Sequence, residues 1–157
     1  MDTNYFRYYN INPKNRITQD CVIRALCLFL GKPYNEILAD LIQIYNNTGF
    51  HIADPVCFMY YLRTNHTNIQ KYNVDYNKRL QLKDLCDYLT TQNNRESCQG
   101  DTQNHNEFTG ITLKNCEKIL VLLENTHLTF VENSVIIDTW NCSCLRIVSY
   151  FVFLSED

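Results

Sequence analysis

Thr18-Gln19-Asp20-Cys21-Val22-Ile23-Arg24-Ala25-Leu26-Cys27-Leu28-Phe29-Leu30, followed by Gly31-Lys32-Pro33, is the stretch on which the reading of the fold turns. After Asp20 its residues are apolar on nearly every face, and Arg24 is its one charge. A helix of that kind is buried on most sides, so the rest of the chain has to wrap around it. Thr18 to Asp20 open the helix, with Thr18 read as a cap, and Gly31 and Pro33 stop it. An arginine enclosed in such a helix needs a carboxylate or carbonyl partner. Arg24 is therefore expected to form a structural bridge.

Outward from this helix the chain of 157 residues reads as one domain, 1–157, long enough to bury a core. A second helix is expected from about Tyr34 to Tyr45, because Ile37, Leu38, Leu41, Ile42 and Tyr45 recur at helical spacing before Asn46-Asn47-Thr48-Gly49. A third starts with Asp54 as cap and Pro55 at the first helical position and reaches about Asn65. A short extended piece, Ile69 to Val74, follows, and then a fourth helix from about Leu82 to Thr91. Residues 1–17 read as irregular, with a turn at Asn12-Pro13. Residues 92–107 are polar without periodicity and read as a loop. After Phe108 the texture becomes β, with strands expected at Thr109–Leu113, Lys118–Leu123, Leu128–Glu132, Val135–Asp138 and Leu145–Phe153. Helices first and strands second give an α+β class, a helical part packed on a C-terminal antiparallel sheet.

Composition narrows the function. The formal net charge is −3 and no basic stripe appears, so no nucleic-acid partner is expected. No apolar run is long enough to span a bilayer, and Met1 to Asn10 lack the pattern of a signal peptide. The eight cysteines are irregularly spaced. Reduced thiols in a cytoplasm are the expectation, with no membrane partner. Cys27, Cys57 and Cys86 fall within apolar periodic patterns and read as packing residues. Cys142-Ser143-Cys144 has the wrong spacing for a zinc knuckle and no second pair at ligand spacing accompanies it. With four glycines there is no Gly-rich phosphate loop. Neither metal nor cofactor is expected. His51, His66 and His105 fall in or near loops and read as solvated.

Three residues carry chemistry. Cys21 heads the buried helix, where orphan N–H groups and the helix dipole favour a thiolate. His127 follows the turn-like Asn125-Thr126 and begins a strand, placed to act as general base. Asp138 ends the next strand, which pairs with the first as a hairpin across Asn133. That hairpin brings His127 and Asp138 to the same end, where a carboxylate can hold the imidazole by its second nitrogen. Trp140, two residues on, can cover that contact and keep water from it. Singly, each residue has a plainer reading: a core cysteine, a strand-edge histidine, a turn aspartate beside a core tryptophan. Taken together, Cys, His and Asp in this chain order describe a cysteine hydrolase.

Here a resemblance becomes specific. Asp138-Thr139-Trp140 resembles the Asn-Ser-Trp element of papain-like proteases. Asp20-Cys21 at the head of an apolar helix resembles the Asp-Cys element of double-glycine bacteriocin-processing peptidases. Cys21-Val22-Ile23-Arg24-Ala25-Leu26 is similar to the Cys-Leu-Phe-Arg-Ala-Leu run of ovarian-tumour-type deubiquitinases. The layout from residue 12 to 150 also resembles small papain-like proteins of phages and bacteria, carried by about fifteen positions. The resemblance implies a papain-like fold and a Cys21-His127-Asp138 triad that cleaves a peptide or isopeptide bond of a protein or peptide substrate through a thioester. A transacylase is a close variant. The alternative class is a non-catalytic interaction protein, an effector scaffold in a phage–host contest, which would place the chain in a host cytoplasm. The pattern is not perfect. Asn15 stands six residues before Cys21, where papain-like enzymes carry an oxyanion-hole glutamine, and Gln19 stands two before it; either amide could assist the Cys21 N–H. Thr18 occupies the position where the deubiquitinases carry aspartate. Substrate identity and oligomeric state are not legible.

Overall fold

The computed structural model describes residues 5–95 and 118–154. Strand β1 (Phe6–Tyr8) precedes helices α1 (Cys21–Leu30), α2 (Tyr34–Thr48) and α3 (Pro55–Asn65). Strand β2 (Ile69–Asn73), a one-turn 3-10 segment (Tyr76–Lys78) and helix α4 (Leu82–Arg95) follow. The chain closes with β3 (Lys118–Leu123), β4 (Leu128–Glu132), β5 (Val135–Asp138) and β6 (Ile147–Phe153). The fold is mixed α+β, with the six strands in one sheet ordered β1-β5-β4-β3-β6-β2.

Each sheet face is covered by helix. One core joins Leu26 and Phe29 of α1, Leu41 of α2 and Phe58 of α3 to Leu120, Phe130 and Phe151 of the sheet. The other joins Leu82, Leu85 and Leu89 of α4 to Ile119, Val121, Val131 and Val152. Ile119 and Val121 face one way while Leu120 and Leu122 face the other, the alternation a strand covered on both sides requires. Leu26 is fully enclosed, so truncation to alanine there costs about 2–5 kcal/mol.

Local chemistry explains the element ends. Gly31 stops α1 in the left-handed region (φ 67°), its N–H reaching the Cys27 carbonyl at 2.9 Å. Pro55 occupies the first turn of α3, where its missing donor costs nothing. Asn133 and Ser134 both have positive φ, 51° and 67°, the geometry of a two-residue hairpin turn whose twist matches its strands. That turn sets Glu132 opposite Val135 and Phe130 opposite Ile137.

Three expectations need correction. The sheet is mixed rather than antiparallel, because Phe6, Arg7 and Tyr8 pair in parallel with Ile136, Ile137 and Asp138; residues 1–17 are thus not wholly irregular. Helix α1 begins at Cys21 with Asp20 as its N-cap residue, so Thr18 does not cap it; the Thr18 carbonyl instead accepts from Arg24 at 3.4 Å. Helix α4 continues to Arg95, into the start of the expected 92–107 loop. The remainder of that loop, the expected strand Thr109–Leu113 and His105 lie outside the described residues. No helix among the described residues is long and apolar enough to cross a membrane.

Candidate active site

Three elements meet at one end of the sheet. Helix α1 delivers Cys21 as its first residue. His127 sits between a short 3-10 turn (Glu124–Thr126) and β4, fixed by its carbonyl, which accepts the Leu123 N–H at 2.8 Å. Asp138 is the last residue of β5, and its carbonyl is held by the Tyr9 N–H at 3.0 Å. The parallel pairing of β1 therefore clamps the strand end that bears the carboxylate.

The three side chains form a relay. His127 Nε2 lies 2.8 Å from Asp138 Oδ2, and the imidazole acts on the Cys21 thiol, lowering its pKa. With Nε2 committed to the carboxylate, Nδ1 is the ring nitrogen left for sulfur. His127 and Asp138 are buried, and Cys21 is partly exposed. An attacking thiol has to be reachable, whereas a base and its orienting acid gain from low dielectric.

Electrostatics favour the charge-separated pair. Burial pushes the Cys21 thiol up, but the hydrogen bonds from His127 and Leu128 and the positive charge of His127 and Arg24 outweigh it, leaving the pKa below its ordinary value. Burial opposes the His127 imidazolium, yet the Asp138 hydrogen bond, contacts to Cys142 and Cys21 and the Asp138 charge hold its pKa well above the usual histidine range. Burial also disfavours the Asp138 anion; hydrogen bonds from His127, Thr129 and the Thr139 N–H hold its pKa low nonetheless. By contrast, burial pushes Cys27 and Cys86 up to about 12. Only a thiolate attacks carbon readily, so Cys21 is electrostatically unlike these packing cysteines.

Asp138 is unusually well held. Oδ2 accepts from Thr129 Oγ1 at 2.7 Å as well as from His127. Oδ1 accepts from the Thr139 N–H at 2.7 Å and from Arg24 Nη2 at 3.5 Å. Arg24 also forms a buried ion pair with Asp20, whose other oxygen accepts from Asn12 Nδ2 at 2.9 Å and Tyr34 Oη at 2.7 Å. Arg24 is thus a bridge, as expected, and one that ends on the candidate triad. Asp20 spends its carboxylate on this network and makes no side-chain cap bond to α1. The first N–H groups of α1 are in this way left facing the Cys21 region, where a helix N-terminus stabilises negative charge.

Trp140 packs on His127, with ring centroids 4.8 Å apart and planes tilted by 50°. Its indole is 45% exposed, so it shields one side of the imidazole and is not a core residue. Asn15 and Gln19 are both exposed, and among the described residues no hydrogen bond joins either side chain to Cys21 or His127. Asn15 lies in a turn with φ 50°, its N–H bound to the Asn12 carbonyl at 2.8 Å.

The sequence reading missed Cys142, Thr129 and Asn12. Cys142 is buried and its Sγ lies 3.8 Å from Asp138 Oδ2. Ligand atoms of His127, Asp138 and Cys142 lie within 4.8 Å of one another, a donor set suited to a soft divalent ion. The carboxylate and imidazole of that set are already bonded to each other and to Thr129 and Arg24. Thr129 could have been found from register, since the Phe130–Ile137 pairing sets it opposite Asp138. No signal in the sequence points to Cys142. His66, expected to be solvated, has its Nε2 buried, whereas His51 is exposed. The chain matches no protein-family model, no curated protein and no solved structure.

Proposed function

We propose that the chain is a papain-like cysteine hydrolase that cleaves a peptide or isopeptide amide. The observation that carries this reading is the buried relay from Asp138 through His127 to a partly exposed Cys21 at a helix head. In the reaction the Cys21 thiolate attacks the substrate carbonyl carbon and the C=O electron pair moves to oxygen. Backbone N–H groups at the start of α1, which carry no side-chain cap, receive that oxyanion in this reading. The His127 imidazolium gives its proton to the amine as the C–N bond breaks, leaving a Cys21 thioester and neutral imidazole. His127 then takes a proton from water, hydroxide adds to the thioester, and thiolate departs with release of the acid. Asp138 holds the ring orientation throughout and stabilises the imidazolium, and does not itself take the proton. An amine acceptor in place of water would give transacylation from the same thioester.

The test is capture of the uncleaved substrate. Cys21→Ala protein, with its surface otherwise intact, is incubated with a cell extract and the proteins retained are compared with those retained by wild type. A hydrolase leaves species that bind the Ala variant and are shortened or released by wild type. Equal retention by both proteins, together with Cys21 no faster than Cys144 toward iodoacetamide, refutes the proposal in favour of a binding scaffold.

A further inference from the structure

A second concavity, larger than the cleft at Cys21, lies at the opposite edge of the sheet. The candidate triad lies at the head of α1 and the adjoining ends of β4 and β5, whereas this hollow is bounded by α3, the segment after α2, and the edge pair β6 and β2. Its volume is about 760 Å³, within the range of sites that enclose small molecules. Phe50, Met59, Tyr60, Leu62, Ile69 and Phe151 make its walls chiefly apolar.

Apart from Thr48, Thr67, His66 and Tyr60, its polar side chains are cations. Arg63 and Lys71 belong to the lining, both exposed and neither in an ion pair among the described residues. The Arg63 guanidinium rests over the Tyr60 ring, 5.9 Å from its centroid, which steadies the cation beside the opening. Ile69 and Lys71 lie two apart on β2 and so share a face of the sheet, and Lys71 pairs with Phe151 across the strands. No carboxylate lines the hollow. His66 forms part of the wall, and its buried Nε2 has no hydrogen-bond partner among the described residues. That nitrogen is closed off from the hollow, its ring set against Tyr61 with centroids 5.5 Å apart.

We propose that this hollow binds a small amphiphilic carboxylate, its apolar tail against Phe50, Met59, Ile69 and Phe151 and its head between Arg63 and Lys71. An apolar wall alone would accept any greasy tail. Two cations, with no carboxylate in the lining, select an anionic head. The site does not depend on the hydrolase reading.

Isothermal titration of the full chain with octanoate, octanol and octylammonium separates these contributions, since all three carry the same eight-carbon tail. Octanoate is expected to bind saturably, one per chain and at least tenfold more tightly than octanol, with octylammonium weaker still. Arg63→Ala and Lys71→Ala change exposed side chains, so the fold persists; each should weaken octanoate severalfold and leave octanol unchanged. Met59→Trp, which fills the hollow, should remove binding of both. The proposal is overturned if octanoate shows no saturable binding at millimolar concentration, or binds no better than octanol. It is equally overturned if the Arg63→Ala/Lys71→Ala double variant binds octanoate like wild type.

Discussion

Rate of alkylation at Cys21 is the most direct reading of the proposed relay. At pH 6 an unperturbed thiol with a pKa of about 8.5 is only about 0.3% thiolate. A thiol ionised by its surroundings therefore gains at most about 300-fold in thiolate concentration. Thiolates of lower pKa are intrinsically weaker nucleophiles, with a Brønsted coefficient of about 0.4–0.5, which trims the advantage to roughly tenfold at best. The structure supplies three sources of that shift: the His127 hydrogen bond and charge, the Leu128 N–H, and the Arg24 charge. The assay is iodoacetamide labelling at pH 6 followed by mass spectrometry of partly modified protein, with a cysteine model peptide as reference. Cys21 should label first, ahead of the exposed Cys144, while buried Cys27, Cys57 and Cys86 label only on unfolding. His127→Ala removes the largest favourable contribution and should slow Cys21 severalfold at pH 6. Asp138→Ala should slow it less, because the carboxylate acts through the orientation and charge of His127. Should Cys144 label before Cys21, and His127→Ala leave the Cys21 rate unchanged, the thiolate–imidazolium pair does not exist and Cys21 is a packing residue.

Other perturbations test the surroundings of the relay. Arg24→Leu leaves Asp20 and Asp138 as buried anions without their cation, a loss of about 3–5 kcal/mol; calorimetry should show a fall in Tm of about 6–20 °C, and a fall below 2 °C would show that the network is solvated. Adding Asp20→Asn to Arg24→Leu should recover part of that loss, since one of the stranded charges goes with it. Trp140→Ala should cost about 1–2 kcal/mol, less than the 3–5 of a buried aromatic, because the indole is half exposed, and should also slow Cys21 labelling by uncovering His127; unchanged labelling would deny it the shielding role. For Asp138 the folded pKa lies below the ordinary carboxylate value of 3.8, so its contribution to stability is complete above that value and is lost as pH falls through the folded pKa. The Tm difference between wild type and Asp138→Ala should therefore hold steady from pH 5 to 4 and shrink below about pH 3.8, whereas a difference that grows in acid would contradict the sign.

What the sequence made legible here is local, and what it hid is pairwise. The heavy apolar content of Val22 to Leu30 and the unbroken apolar run of Ile119 to Leu123 announce their own elements, because length and apolar content are properties of one segment. The His127–Asp138 hairpin is also short-range, since two strands joined by a two-residue turn can align in only one way. By contrast, Phe6-Arg7-Tyr8 carries no period of its own and becomes a strand only because β5 offers an open edge. Asn12, read as part of a turn, is a ligand of Asp20, and that role depends on where α1 lies. The same limit applies to Arg24. Burial alone demands a partner for it, and Asp20, one helical turn earlier, satisfies that demand locally. Nothing in its own segment says that the guanidinium continues to Asp138, 114 positions away. Yet this second contact joins the helix that carries the nucleophile to the strand that carries the orienting acid. A cation shared by the two carboxylates couples the position of Cys21 to that of Asp138. Loss of the bridge should therefore register in the Cys21 labelling rate as well as in Tm. Arg24→Lys, which keeps charge but not the two-ended fork, is expected to retain more labelling rate than Arg24→Leu while losing stability. Equal labelling rates in the Lys and Leu variants would mean that the bridge holds the fold together without setting the geometry of the relay.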